Sequence, residues 1–171
     1  MVHKPVVIVD EHDEPTGTAA LHEVWKKGHY HRIVRILIEN KKGEVLLQRR
    51  AYDMELFPNC WDVSAGGHVD EGMTYKTAGR QELVEELGLS EGDLQEIDHY
   101  KSQTIYKDRK LNRFNKTYFL HWNYTPELFN PEEITEVRWF TKAQVLKLIK
   151  EHPDKVADGL KEVAERLFAQ K

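Results

Sequence analysis

The stretch RQELVEELG, from Arg80 to Gly88, constrains the fold more than any other part of this chain. Good helix formers fill it, Thr74 upstream is a capable N-cap, and Gly88 suits the left-handed position that ends a helix; together they predict a helix from about Thr74 to Leu87. That helix holds Glu82, Glu85 and Glu86 together, although like charges three and four apart cost a helix roughly 0.2–0.5 kcal/mol per pair. At about 100° per residue the three acids fall within an arc of about 100°, and Leu83, Val84 and Leu87 gather on the opposite side. The apolar side is expected to pack while the acids stay together. Such a cluster ordinarily means a solvated face. The glycine pair Gly66–Gly67 upstream supports a second reading, because it lets the backbone approach a ligand, and a divalent cation needs oxygen donors gathered on one side.

Around this helix the chain reads mostly as strands. Val6–Asp10 is a short buried strand followed by a turn, EHDEPTGT, rich in acids, Pro and Gly. His31–Asn40 is β-branched, and Glu44–Arg50 is its expected hairpin partner across Lys41–Gly43. Trp61–Val69 reads as one strand weakened by its glycine pair. Further strands are expected near His99–Tyr106, Arg113–Trp122 and Thr135–Phe140, with a helix starting near Thr141. A last helix, at about 154–170, carries Val156, Leu160, Val163 and Leu167 as an apolar stripe that packs on the domain or on a second copy. These strands do not alternate regularly with helices, which argues against a doubly wound parallel sheet and for a mixed sheet flanked by helices.

Length and composition narrow the function. The 171 residues fit one domain, 1–171, with 40% hydrophobic and 32% charged residues as in soluble globular chains. A net charge of −4 and the lack of a basic, aromatic-interleaved block argue against nucleic acid as a partner. No apolar run approaches bilayer length, and the N-terminal run is too short for a signal-peptide core, so a membrane partner is not expected. One cysteine, Cys60, forms no internal disulfide and reads as a small buried hydrophobe; a reducing cytoplasm fits. His29, Tyr30, Trp61, Phe114 and Tyr118 are either pocket aromatics or, more commonly on strands, core.

Residues Gly67 to Leu89 resemble the Nudix box: Gly, five residues, Glu, seven residues, then Arg-Glu-aliphatic-any-Glu-Glu-any-Gly-aliphatic. Gly67, Glu82, Leu83, Glu85, Glu86, Gly88 and Leu89 match in register, seven of nine defined positions. Average composition gives such a match at about one start in a million. The segments GEVLLQRR, FPNCWDVSAGGHV and EEITEVRWFT also resemble the family, particularly the branch related to type I isopentenyl-diphosphate isomerase. The resemblance implies an α/β fold, an α/β/α sandwich around a mixed β-sheet, and a Mg²⁺-dependent pyrophosphohydrolase, with Mn²⁺ as the alternative ion. Its substrate would be a small-molecule diphosphate, typically a nucleoside diphosphate derivative. Carried over by position, Glu82 and Glu86 are metal ligands, Glu85 is a third ligand or the catalytic base, and the Gly66 carbonyl is a fourth oxygen. Glu132, Glu133 and Glu136 lie where acids reach the site in some family members, and otherwise read as surface charge. Arg49 or Arg50 would meet substrate phosphate, or else form a cross-strand ion pair.

Two box positions depart from the pattern: Met73 replaces Glu and Gln81 replaces Arg. These residues commonly brace the loop against the helix, and losing both avoids leaving one unpaired. The change bears on activity and on the number of metal ions, so an inactive Nudix-fold binding module is one alternative. An isopentenyl-diphosphate isomerase-like enzyme is another, because His31 and His68 stand where that enzyme has metal-binding histidines, which also makes His68 a candidate substrate-binding residue. Against it, Gly66 occupies the place of the isomerase's catalytic Cys, and no acid lies between Asp108 and Glu127.

Overall fold

The apolar run of β3 (Tyr30–Glu39) is the axis of the molecule, which a computed structural model describes over residues 4–169. On one side β3 pairs in parallel with β8 (Arg109–His121), from His31↔Arg113 to Glu39↔His121, and β7 (Gln95–Tyr106) lies antiparallel outside β8. On its other side β3 meets β1 (Val6–Val9) and then β6 (Ala65–His68), both antiparallel. Its far end touches β4 (Glu44–Arg50) at the single pair Glu39↔Val45. β4 then leaves β3 and runs antiparallel to β9 (Ile134–Thr141) and β5 (Trp61–Asp62). Parallel and antiparallel pairs make this the mixed sheet expected.

Alternation along β3 decides what covers each face. Val34, Ile36 and Ile38 pack with Leu83 and Leu87 of α2 (Tyr75–Leu87) on one face. Leu37, with Val45 and Leu47 of β4, packs on the other against α3 (Lys142–Glu151) and α4 (Asp158–Leu167). The result is the α/β/α sandwich. The stripe of Val156, Leu160 and Val163 is buried in this second cluster, with Leu167 packed against it. A satellite cluster sets Leu21, Val24 and Trp25 of α1 (Leu21–Lys27) against Val6, Leu56 and Leu111.

Several local expectations are corrected. Glu44–Arg50 forms the expected strand, but not the arm of a long hairpin. Residues 61–69 are two short strands: β5 pairs with β4, the chain crosses at Val63–Ser64, and β6 pairs with β3. Ser64 fills the split, its Oγ accepting from Ile38 N (2.8 Å) and donating to the Leu46 carbonyl (2.6 Å). Within the predicted turn, β2 (Pro15–Ala19) is an edge strand on β1; Pro15 sits at its first residue, where a missing N–H costs no ladder bond. Helix α1 was not expected, although Leu21, Val24 and Trp25 have the spacing of a buried helical face. The terminal helix begins at Asp158 rather than near 154, because Pro153–Lys155 forms a 3₁₀ turn and Val156 bridges Trp61; residue 170 lies outside the described part. Among the described residues no helix is long and apolar enough to cross a membrane.

Candidate active site

Helix α2 begins and ends where its local signals place it. The Thr74 side chain accepts from Thr77 N while Thr77 Oγ1 accepts from Thr74 N, and Gly88 closes the helix at φ 65°. Its rotation is the surprise. Tyr75, Ala78, Gly79, Leu83, Glu86 and Leu87 are buried, whereas Val84 is 50% exposed. The helix therefore turns its Glu82–Glu86 edge inward rather than to solvent, with Glu86 only 4% exposed. Gly67 on β6 makes room, since a Cβ there would collide with the Glu82 carboxylate. A Cβ on Gly66 would stand 2.7 Å from the Val34 carbonyl oxygen, so close strand packing also requires glycine there.

A third acid reaches this place from far along the chain. Oxygens of Glu82, Glu86 and Glu133 lie within 4.8 Å of one another. Glu133 sits just before β9 in a turn built on Asn130, whose N–H donates to the Glu86 carbonyl (2.9 Å) and whose Nδ2 donates to Glu133 Oε1 (3.2 Å). Ala51 N, from the loop after β4, donates to the Glu133 carbonyl (2.8 Å). Gln48 of β4 donates from Nε2 to Glu86 Oε2 at 2.7 Å.

Crowding three carboxylates into a sheltered place makes their charge hard to hold. Burial, with the charges of Glu85, Glu133 and Asp70, pushes Glu82 up to about 8. Burial and then Glu82 and Glu133 raise Glu86 well above the carboxylate range, against the Gln48 hydrogen bond and the charge of Arg50. Glu133 is raised as well, first by burial and then by Glu85. A divalent cation supplies the charge this oxygen set lacks, so the residues fit one.

The other candidates divide. Glu85 is exposed at the rim, outside the group of three, with its charge felt by Glu82 and Glu133. Arg49 lies 3.7 Å from Glu136 across the β4–β9 pair, the cross-strand arrangement, and Arg138 also pairs with Glu136. Arg50 ties down the following loop, donating from Nε to the Leu56 carbonyl (2.9 Å) and from Nη1 to Asp62 Oδ2 (3.3 Å), while its charge reaches Glu86 and Glu133. His68 stacks on His31 at 5.5 Å between ring centroids and tilts against Trp25, away from the acids. Trp61, Phe114 and Tyr118 are core, and Cys60 is buried with its Sγ 3.5 Å from the Asp154 carbonyl. Gln48 and Asn130 were missed; for Asn130 the Asn-Pro dipeptide before Glu132–Glu133 is a turn signal.

A family model for the NUDIX domain matches residues 29–163, a span that includes all three acids. The chain belongs to the NUDIX family. An uncharacterized Nudix hydrolase of Nostoc sp. is 31% identical over 90% of each chain. An isopentenyl-diphosphate Delta-isomerase of Aliivibrio fischeri is 31% identical over 87% of this chain and 86% of its own. Among solved structures, DR0079 from Deinococcus radiodurans superposes with a TM-score of 0.82 at 27% identity, covering 96% of this chain and 99% of that one. The chain is thus a Nudix hydrolase, an enzyme of phosphoric anhydride bonds, in a family that generally uses divalent metals and has isopentenyl-diphosphate isomerases among its relatives.

Proposed function

We propose that this Nudix hydrolase is a Mg²⁺-dependent pyrophosphohydrolase that cleaves the diphosphate linkage of a nucleoside diphosphate derivative or a related small molecule, with Mn²⁺ able to replace Mg²⁺. The observation that carries this reading is the sheltered triad of Glu82, Glu86 and Glu133, raised together and short of positive charge. When bound there, a divalent ion would polarise phosphate oxygens and offset the charge that develops during phosphoryl transfer. Glu82, Glu86 and Glu133 would hold it, with the Gly66 carbonyl as a further oxygen. Glu85, exposed at the rim and outside the triad, is free to take the proton of the attacking water. Arg50, whose charge reaches Glu86 and Glu133, would meet substrate phosphate by exchanging its Asp62 contact for it; Arg49 faces Glu136, and His68 stands on the sheet's other face.

Support for hydrolysis over isomerisation comes from the other side of the sheet. In β8 the positions beside His31 and Ile33 are Arg113 and Asn115, and Gly66 has no side chain to protonate carbon. The test is a panel of nucleoside diphosphate derivatives with Mg²⁺ and product identification. Turnover of a member, with at least a hundred-fold loss in Glu86→Gln, is the expected result. Unchanged activity in that variant removes the site assignment. Proton exchange from deuterated water into isopentenyl diphosphate restores the isomerase, and ligand binding without turnover makes the chain a binding module.

A further inference from the structure

Glu86 is held from outside its own helix. We infer that Gln48 is a positioning residue that fixes which oxygen of Glu86 is presented to Glu82 and Glu133, an inference that rests on the metal-site reading above. Gln48 is 5% exposed on β4, and its Nε2 donates both to Glu86 Oε2 (2.7 Å) and to the Ser64 carbonyl (3.3 Å). A carbonyl oxygen can only accept. Turning the amide over would set its own oxygen against the Ser64 carbonyl, two acceptors with no hydrogen between them, so the NH₂ end stays toward Ser64 and Glu86. Ser64 is itself pinned where β3 and β4 part, through Ile38 N and the Leu46 carbonyl.

The backbone of the split sheet is thereby connected through Ser64 and Gln48 to one oxygen of Glu86, and the second oxygen would be the one offered to an ion. The departures in the box give this link its importance. Met73, where the pattern has an acid, packs against the core and supplies no carboxylate, and Gln48 of β4 holds Glu86 from outside the box. Outer-shell partners of this kind typically alter metal affinity by about 10–100-fold.

Two apolar replacements, Gln48→Met and Gln48→Leu, fill the space without a donor. Mn²⁺ affinity of the metal-free protein, read by electron paramagnetic resonance, and the Mg²⁺ dependence of activity are compared with wild type and Glu86→Gln. In a variant with wild-type circular dichroism, the Mn²⁺ Kd should rise about ten-fold or more. Its Mg²⁺ activation curve should move to higher concentration, with kcat largely restored at saturation. A merely structural residue would lower the folded fraction without moving that curve. An unchanged Kd in a folded variant, while Glu86→Gln loses Mn²⁺, overturns the role of Gln48 and leaves the function standing. Failure of both variants to fold makes Gln48 structural and also overturns it. No Mn²⁺ uptake by wild type removes the function and this inference together.

Discussion

The two faces of the sheet bury charge in opposite ways. Under α4, Arg35 and Arg113 meet Asp158 and Glu162: Arg113 Nη1 donates to Asp158 Oδ2 at 2.7 Å, and Arg35 Nη2 lies 3.8 Å from Glu162 and donates to Asn115 Oδ1 at 3.0 Å. Tyr100 and Thr104 donate to the same two acids. Cations and anions balance there, and both come from the chain. Under α2, Glu82, Glu86 and Glu133 stand together with amide donors from Gln48 and Asn130, while Arg50 is occupied with Leu56 and Asp62. A buried charge set that closes on itself ties elements together; one that does not close calls for an ion from outside. Electrostatic balance thus separates scaffold from site within one sheet.

The largest effect is expected on the balanced face. Arg113→Met leaves Asp158 buried without its short ion pair and should cost about 3–5 kcal/mol in urea unfolding, with the further change Asp158→Leu recovering much of it. A loss under 1 kcal/mol would erase the distinction between the faces. Next comes His31, fully buried beside Arg113 and held down to about 4 by burial and then by that positive charge. Its folded value lies below its ordinary 6.5, so the unfolded chain binds the proton first, and stability is lost as pH falls from 6.5 to 4. The span corresponds to roughly 3 kcal/mol, and His31→Gln should flatten that part of the pH–stability curve.

On the acidic face, adding Mg²⁺ to about a hundred times its Kd should stabilise the wild type by about 2.7 kcal/mol, seen as a higher Tm that Glu86→Gln does not share. At a fixed Mg²⁺ concentration the gain should grow as pH rises toward 8, because an ion binds the ionised carboxylates and displaces protons from them. The smallest effect has the opposite sign to the first. Without metal at pH 8, Glu86→Gln should unfold no more easily than wild type, and gain on the order of 1 kcal/mol, because it removes the cost, growing with pH, of burying a carboxyl raised above its ordinary range. A loss of several kcal/mol would show the triad to be structural.

Local signals were legible wherever local physics decided. The capping box and Gly88 fix α2 within a residue, and Thr141 caps α3 by the same device with Gln144. Turn chemistry misled where pairing intervened: a Pro-Gly segment reads as a loop until β1 supplies its partner strand. The helix rotation is not legible from periodicity, because Leu83, Val84 and Leu87 share one apolar side in sequence but only Leu83 and Leu87 are buried. Gly67 and Gly79 allow close packing along the edge that carries Glu82 and Glu86, so that edge turns inward and Val84 faces out.

By itself the chain determined most of its longer elements, the family pattern and two of the three acids, because caps, periodicity and i, i+4 spacing act over a few residues. Only tertiary structure chose Glu133 over its neighbours, placed Gln48 against Glu86 and left Glu85 at the rim. Those choices depend on where β3 and β4 part and where the turn before β9 returns, and such long-range pairings set which charges share a low-dielectric space.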